Sequence, residues 1–367
     1  MFHKFRRHKI YVLKFFKDQS WRYVIIDNRI PVHKGSKRPI YGTNTDPSEL
    51  WVPLIEKAYA KLFGCYAAMA SGFIDDGLAD MTAMVCEKKS LHDRKTNEWP
   101  DDPDGKKADE LWAYLMQVKQ TGSLMGCSVS GGTEKSVMLD DNFDSGILSG
   151  HAYGLNDVFE IKDPKYKKAR KCHRILRIRN PWGNTEWRGK WSDGSEEMEK
   201  YRDQLENYIN ELEEDERFEL GANDGTFLIN FENFRNIYNK LFVANDFPDA
   251  WWCVRFASQW STKENTTGGL PLEGSAAAAA RFAKNPQYLI APERDCEMFV
   301  SLGQPDGRPV DPNTGAYSTY PFADRINSAW LGIFALPAGK NRVDTWSQPL
   351  DMSTPKVLHE ISMRRKL

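Results

Sequence analysis

Two side chains in the middle of this sequence have the types needed to move a proton together. His151 stands in Gly150-His151-Ala152-Tyr153, and Asn180 stands in Asn180-Pro181-Trp182-Gly183. An imidazole can take the proton of a thiol, and a neutral amide can hold that imidazole in one tautomer, the division of labour that thiol-based acyl transfer requires. Each residue also has a plainer reading. A histidine in a strand pattern is commonly a satisfied structural residue, and Asn before Pro is a turn signal. Just downstream lies a dense group of Trp and acidic residues: Glu186, Trp187, Trp191 and Asp193.

The elements that must position these residues are legible as patterns. The run His173-Arg174-Ile175-Leu176-Arg177-Ile178-Arg179 alternates, so residues of opposite character should face opposite sides of a strand, with Asn180 at its end. Gly146-Ile147-Leu148-Ser149-Gly150 leads into His151. Before it, residues 123–129 read as a strand, followed by a Gly131-Gly132 link and an acidic Asp140-Asp141-Asn142 turn. Nearer the start, 9–16 and 21–26 read as a hairpin with Val24 and Ile26 on one face, ended by Pro31. Leu54, Ile55, Ala58, Tyr59 and Leu62 recur at helical spacing, with Ser48 placed to cap the helix and Gly64 to end its regular part, residues 65–69 being a candidate continuation. Residues 88–108 read as a loop before a helix from about 108 to 120, and the charged stretch 194–223 reads as a solvated helical insertion. Past Asp246-Phe247-Pro248-Asp249, short apolar runs at 251–256, 286–290, 296–302 and 329–334 alternate with turn-rich loops, the spacing of an antiparallel sandwich; Ala276 to Ala280 reads as a low-complexity loop.

Composition narrows the function classes. The 367 residues, 41% hydrophobic and 12% aromatic, suffice for two domains or more. Fifty basic residues against fifty-one acidic ones give a net charge of -1, which argues against a general nucleic-acid binder. The basic start is followed by Tyr11-Val12-Leu13-Lys14-Phe15-Phe16-Lys17, too short and too charged for a signal-peptide core, so a cytoplasmic protein is expected. Six cysteines, at 65, 86, 127, 172, 253 and 296, form no C-x-x-C pair, so reduced thiols are expected; Cys172-His173 has no second ligand pair at zinc-site spacing.

The longer motifs carry a family resemblance. Gly150-His151-Ala152-Tyr153, then Arg177-Ile178-Arg179-Asn180-Pro181-Trp182-Gly183, then Glu186-Trp187-Arg188-Gly189-Lys190-Trp191-Ser192-Asp193, and finally Asp224-Gly225-Thr226-Phe227 resemble the second catalytic subdomain of the calpain family of papain-like cysteine peptidases. The Asp27-x-Arg29-x-Pro31 exit, the helix at 54–66, and Gly268-Gly269 with Asn285-Pro286-Gln287 are similar to further parts of that family. The resemblance implies an α+β fold: a partial first subdomain over 1–122, a second subdomain over 123–248, and a calpain-type antiparallel β-sandwich over 249–367. It implies His151 as base, Asn180 as orienting residue and Trp182 as an indole shield over their hydrogen bond. Glu186, Asp193 and Asp224 match the family's Ca2+ ligand positions, while Thr226 stands where the family commonly has another acid, which weakens the expected site. Protein or peptide substrates are implied, nucleic acid is not, and the sandwich offers a possible membrane contact.

One part of the family pattern is missing. The Gly-x-Cys-Trp nucleophile signature occurs nowhere before His151; Cys65, Cys86 and Cys127 are followed by Tyr66, Glu87 and Ser128. The expectation is therefore a calcium-dependent cysteine endopeptidase core whose chain as given lacks its nucleophile and is inactive alone, an amino-terminally incomplete form of an active protease. The alternative is a non-catalytic calpain-like binding or calcium-regulated interaction protein.

Overall fold

The computed structural model describes residues 6–18, 20–44, 46–70, 72–93, 95–131, 133–139, 143–163, 172–269, 275–294 and 297–302, with the short strands 331–333, 351–353 and 360–364. The chain forms two units that interleave along the sequence. One takes 1–3, 12–16 and 71–247, and the other takes 4–11, 17–70 and 248–367.

At the start, β1 (Ile10–Lys17) and β2 (Ser20–Asp27) make the expected two-stranded sheet, with Val24 and Ile26 buried. Helix α1 (Trp51–Leu62) buries Leu54, Ala58 and Ala60. Lys57 Nζ reaches Arg29 O at 2.7 Å and the Asp27 carboxylate, and Lys61 Nζ reaches Ile25 O at 2.7 Å, so the helix is tied to the end of β2. Ser48 does not cap this helix. Leu50 precedes its first turn without a side-chain bond, and the Ser48 N–H is taken by Asp46 Oδ1 at 2.7 Å. Gly64 adopts φ 95° and ends the helix; Tyr66–Met69 follows as a 3-10 turn rather than a continuation.

The unit around 71–247 is built on one six-stranded sheet. Its elements are α2 (Ile74–Thr82), β3 (Val85–Ser90), α3 (Lys106–Gln120), β4 (Leu124–Val129), β5 (Lys135–Leu139), β6 (Phe143–Ser149), β7 (His151–Lys162), β8 (Cys172–Arg179), α4 (Glu196–Lys200), α5 (Arg202–Glu211), β9 (Thr226–Asn230), α6 (Phe231–Ile237) and β10 (Lys240–Asn245). The strand order is β3-β10-β4-β7-β8-β9, antiparallel at every pairing, and β5 and β6 form a separate hairpin. The loop expected from 88 begins later, because Lys88–Ser90 complete an edge strand against β10. The Asp140-Asp141-Asn142 turn and Gly132 lie outside the described residues.

Both faces of this sheet are covered, which changes how β8 reads. Leu176 and Ile178 enter one core with Tyr153, Leu155, Trp112, Leu115 and Phe234, while Ile175 enters a second core with Phe159, Ile161, Trp191, Met198 and Leu205. The arginines of β8 therefore do not mark a solvent face. Arg177 is buried, stacked on the Phe218 ring at 4.6 Å and bonded to Glu216 O at 2.6 Å, and Arg174 lies over Trp112. A bulge between Leu155 and Asp157 shifts the register of β7 against β8. It reverses which residues face which core: Tyr153 and Leu155 face the first, and beyond the bulge Phe159 and Ile161 face the second. The charged 194–223 stretch is helical as expected, but α4 and α5 bury Met198 and Leu205 in the second core rather than standing in solvent.

Toward the end, Ala276 to Ala280 is not a loop. It forms α7 (Ala276–Phe282), capped by Ser275 Oγ, which accepts from Ala278 N at 3.1 Å; alanine's helix propensity and a serine cap suffice. The described strands here are β11 (Glu297–Ser301), β12 (Leu331–Ile333), β13 (Asp351–Ser353) and β14 (Glu360–Arg364), paired antiparallel as β11-β14 and β12-β13. Residues 251–256 and 286–290 carry no strand, and much of the expected sandwich lies outside the described residues.

Candidate active site

His151 is the first residue of β7, and Asn180 follows the last residue of β8. The two strands run antiparallel with Gly154 opposite Arg179, so the start of one and the end of the other fall at the same edge of the sheet. This brings residues 29 apart in sequence into hydrogen-bond contact, His151 Nε2 to Asn180 Oδ1 at 2.9 Å.

The amide is held from every side. Asn180 is 0% exposed, and its Nδ2 donates to Asn184 O at 2.7 Å and Thr185 O at 3.0 Å. Those bonds fix which end of the amide is oxygen. Oδ1 accepts the Trp182 N–H at 3.0 Å and faces His151, so the imidazole carries its proton on Nε2. The Asn180 N–H in turn donates to Gly225 O at 2.8 Å. Gly225 has φ 86°, and a Cβ there would lie 2.7 Å from Asn180 O, so both the backbone conformation and the close approach require glycine.

His151 is 7% exposed and sits between two rings. Trp182 lies 4.6 Å away centroid to centroid, and Tyr153 approaches edge-on at 4.9 Å. Trp182 is itself 53% exposed, so one side of the indole lies over the imidazole while much of the ring meets solvent. The Tyr153 phenol points elsewhere, accepting from Leu148 N at 2.8 Å, and burial pushes its ionisation far up. The second imidazole nitrogen is also occupied: Nδ1 is 2.8 Å from Glu134 Oε1. Glu134, Asn184 and Thr185 were not singled out from the sequence. A lone Glu in a polar stretch and two carbonyls in a turn carry no residue-type signal, and only the register of the neighbouring strands brings them here.

Cys127 lies within β4 opposite Tyr153, and burial pushes its ionisation well up, the reverse of an activated nucleophile. Cys172 is raised as well, by burial first and then by Glu160. Cys86 is buried, and Cys65 and Cys253 are exposed. Cys296 lies outside the described residues.

The carboxylates expected to bind calcium fall close to one another. Burial raises Asp193 to about 6, followed by the charge of Glu186, a shared hydrogen bond with Glu186, and the charge of Asp224. Glu186 Oε1 accepts the Gly225 N–H at 2.7 Å and Asp224 Oδ1 accepts the Thr226 N–H at 2.7 Å, so part of their acceptor capacity is already used by backbone. Among the described residues, no group of three or more His, Cys, Asp or Glu is spaced to hold a metal ion. Charges that add to the effect of burial on one carboxyl and the lack of a convergent ligand set among the described residues describe different things. The all-oxygen chemistry suits Ca2+, while the present spacing does not.

An imidazole fixed by an amide across two antiparallel strands, beneath an indole, defines the base-bearing half of a papain-like cysteine protease fold. The family model described as "Calpain family cysteine protease" matches residues 2–245, and the chain belongs to that family. It is 29% identical over 347 residues to Calpain-B of Drosophila melanogaster, covering 86% of this chain and 33% of that protein. It is 29% identical to the Calpain-2 catalytic subunit of Mus musculus, covering 80% of this chain and 39% of the relative, and 32% identical to Calpain of Schistosoma mansoni, covering 80% and 37%. The chain thus spans about a third of the length of these relatives.

Proposed function

We propose that this chain carries the base half of a calpain-type cysteine endopeptidase acting on protein or peptide substrates. His151 takes the thiol proton, Asn180 holds the imidazole, and Trp182 limits water at their hydrogen bond. The observation that carries the reading is the 2.9 Å contact from His151 Nε2 to an Asn180 oxygen whose orientation is set by two further amide bonds. The reading assigns no nucleophile among these residues, because Gly-x-Cys-Trp is absent from the sequence and burial raises the Cys127 and Cys172 thiols. The same reading places the chain in a reducing, cytoplasmic setting, supported by the absence of a C-x-x-C pair from the sequence.

The test has two arms. The chain alone, with casein and Ca2+, shows no turnover; turnover blocked by iodoacetamide overturns the missing nucleophile. Mixed with a separately expressed calpain segment bearing a Gly-x-Cys-Trp helix, it gains turnover that His151→Ala abolishes; turnover that survives His151→Ala refutes the assigned base. If a folded complex forms and no turnover appears, the non-catalytic interaction protein is the correct reading.

We assign Ca2+ binding to the same region through Glu186, Asp193 and Asp224. Its support is that Asp193 is raised by burial first and then by the charges of Glu186 and Asp224, negative charge that a divalent cation relieves. The three side chains must draw inward to ligate, and with Thr226 in place of a further acid the affinity falls in the weak range of roughly 10⁻⁴–10⁻³ M. Titration with Ca2+ gives heat and a change in Trp fluorescence from neighbouring Trp187 and Trp191; the absence of both removes the assignment.

A further inference from the structure

The carboxylate on the other side of His151 has no part in the reading above, and it occupies the atom on which that reading depends. Asn180 holds Nε2, so Nδ1 is the nitrogen left to meet a thiol. Nδ1 instead lies 2.8 Å from Glu134 Oε1.

Proton accounting gives the contact its meaning. Asn180 Oδ1 is an acceptor, because Nδ2 of the same amide spends its protons on Asn184 O and Thr185 O. An ionised carboxylate also only accepts. A 2.8 Å contact between Nδ1 and a carboxyl oxygen holds one proton between them, and a nitrogen so engaged is not open to take a proton from a thiol.

The placement is built into the backbone. Glu134 directly precedes β5, whose Lys135 pairs with Ser149 at the end of β6, two residues before His151. Ser149 Oγ donates to Lys135 O at 3.2 Å, and the Gly150 N–H donates to Val129 O at 2.8 Å. Gly150 has φ 67°, and a Cβ there would lie 3.2 Å from the Thr133 carbonyl, so the residue before Glu134 packs where only glycine gives room. Glu134 itself is 42% exposed, which leaves its side chain free to swing out to water without unpacking a core. Around the imidazole, the Tyr153 phenol is engaged with Leu148 N and Trp182 carries no charge, so the anionic partner of the ring is Glu134.

We infer that Glu134 is a positioning residue that covers the nitrogen of His151 a thiol must reach, so that the base is stored blocked until the Glu134 side chain withdraws. The inference rests on His151 being the base.

The experiment reads His151 directly and needs no peptidase activity, so it fails or succeeds independently of turnover. Diethyl pyrocarbonate, which acylates an unprotonated and uncovered ring nitrogen, modifies His151 slowly beside exposed His33 as an internal control. Glu134→Ala raises the His151 rate at least about tenfold with His33 unchanged, the worth of one hydrogen bond to a charged group. Glu134→Gln, whose amide still covers Nδ1, gives a rate between the two. Equal His151 rates in the parent chain and both variants overturn the inference.

Discussion

Asn180 shows how much one side chain can depend on its surroundings. It makes the bond that orients His151, two donor bonds to a turn, and a backbone bond to Gly225. Asn180→Ala leaves a buried imidazole N–H and two carbonyls without partners, at a cost of about 2 kcal/mol measured by urea unfolding. The same variant frees the ring of His151, so its NMR signals broaden or split where the parent gives one set. Gly225→Ala acts on Asn180 from behind, since its Cβ would meet Asn180 O at 2.7 Å in a backbone conformation that disfavours side chains. It lowers stability by about 2 kcal/mol and disturbs the same His151 signals. His151, Asn180 and Trp182 were legible because their types recur in a known order with known neighbours. Glu134 was not legible, since a glutamate seventeen residues before a histidine is related to it only through the β5-β6 pairing.

At the scale of elements, the central pair β7-β8 does most of the positioning. Its bulge at Leu155/Asp157 turns Asp157 toward Lys119 Nζ at 2.7 Å and toward the Tyr208 hydroxyl at 2.7 Å, joining α3, β7 and α5. Tyr208 ionises with difficulty there because of burial and then Asp157. Asp157→Ala leaves the tyrosine hydroxyl and the lysine short of an acceptor and costs about 2 kcal/mol by chemical denaturation. Helices α1, α3 and the 194–223 insertion were readable from apolar spacing. The insertion's buried face was not, because a charge-rich helix with two or three apolar residues looks solvated until a second core is found beneath it. The alternation along β8 misled for a related reason: arginine stems can lie in a core when their heads find a ring and a carbonyl, as Arg177 does.

For the whole molecule, the acidic group links stability to pH. The folded protein holds a proton on Asp193 to about 6, whereas an unfolded chain releases it near the ordinary 3.8. In that window the folded state binds more protons, so in chelator stability falls as pH rises from about 4 to 6 and stays lower above it. The side chain is half-buried, and solvent screening holds the loss to about 1 kcal/mol. A thermal-unfolding series shows the fall in the parent and its absence in Asp193→Asn; a flat series in both refutes the coupling. Added Ca2+ offsets the loss above pH 6 if the carboxylates ligate it. By itself the sequence determined the family, the candidate base and its amide, and elements such as β1, β2, α1, α3, β4 and β8, because those follow from residue type and period along the chain. Tertiary structure decided which nitrogen of His151 remains for chemistry, what covers it, and how near three distant carboxylates come. Those are relations across strands, set by register, a bulge and two glycines rather than by any local run of residues.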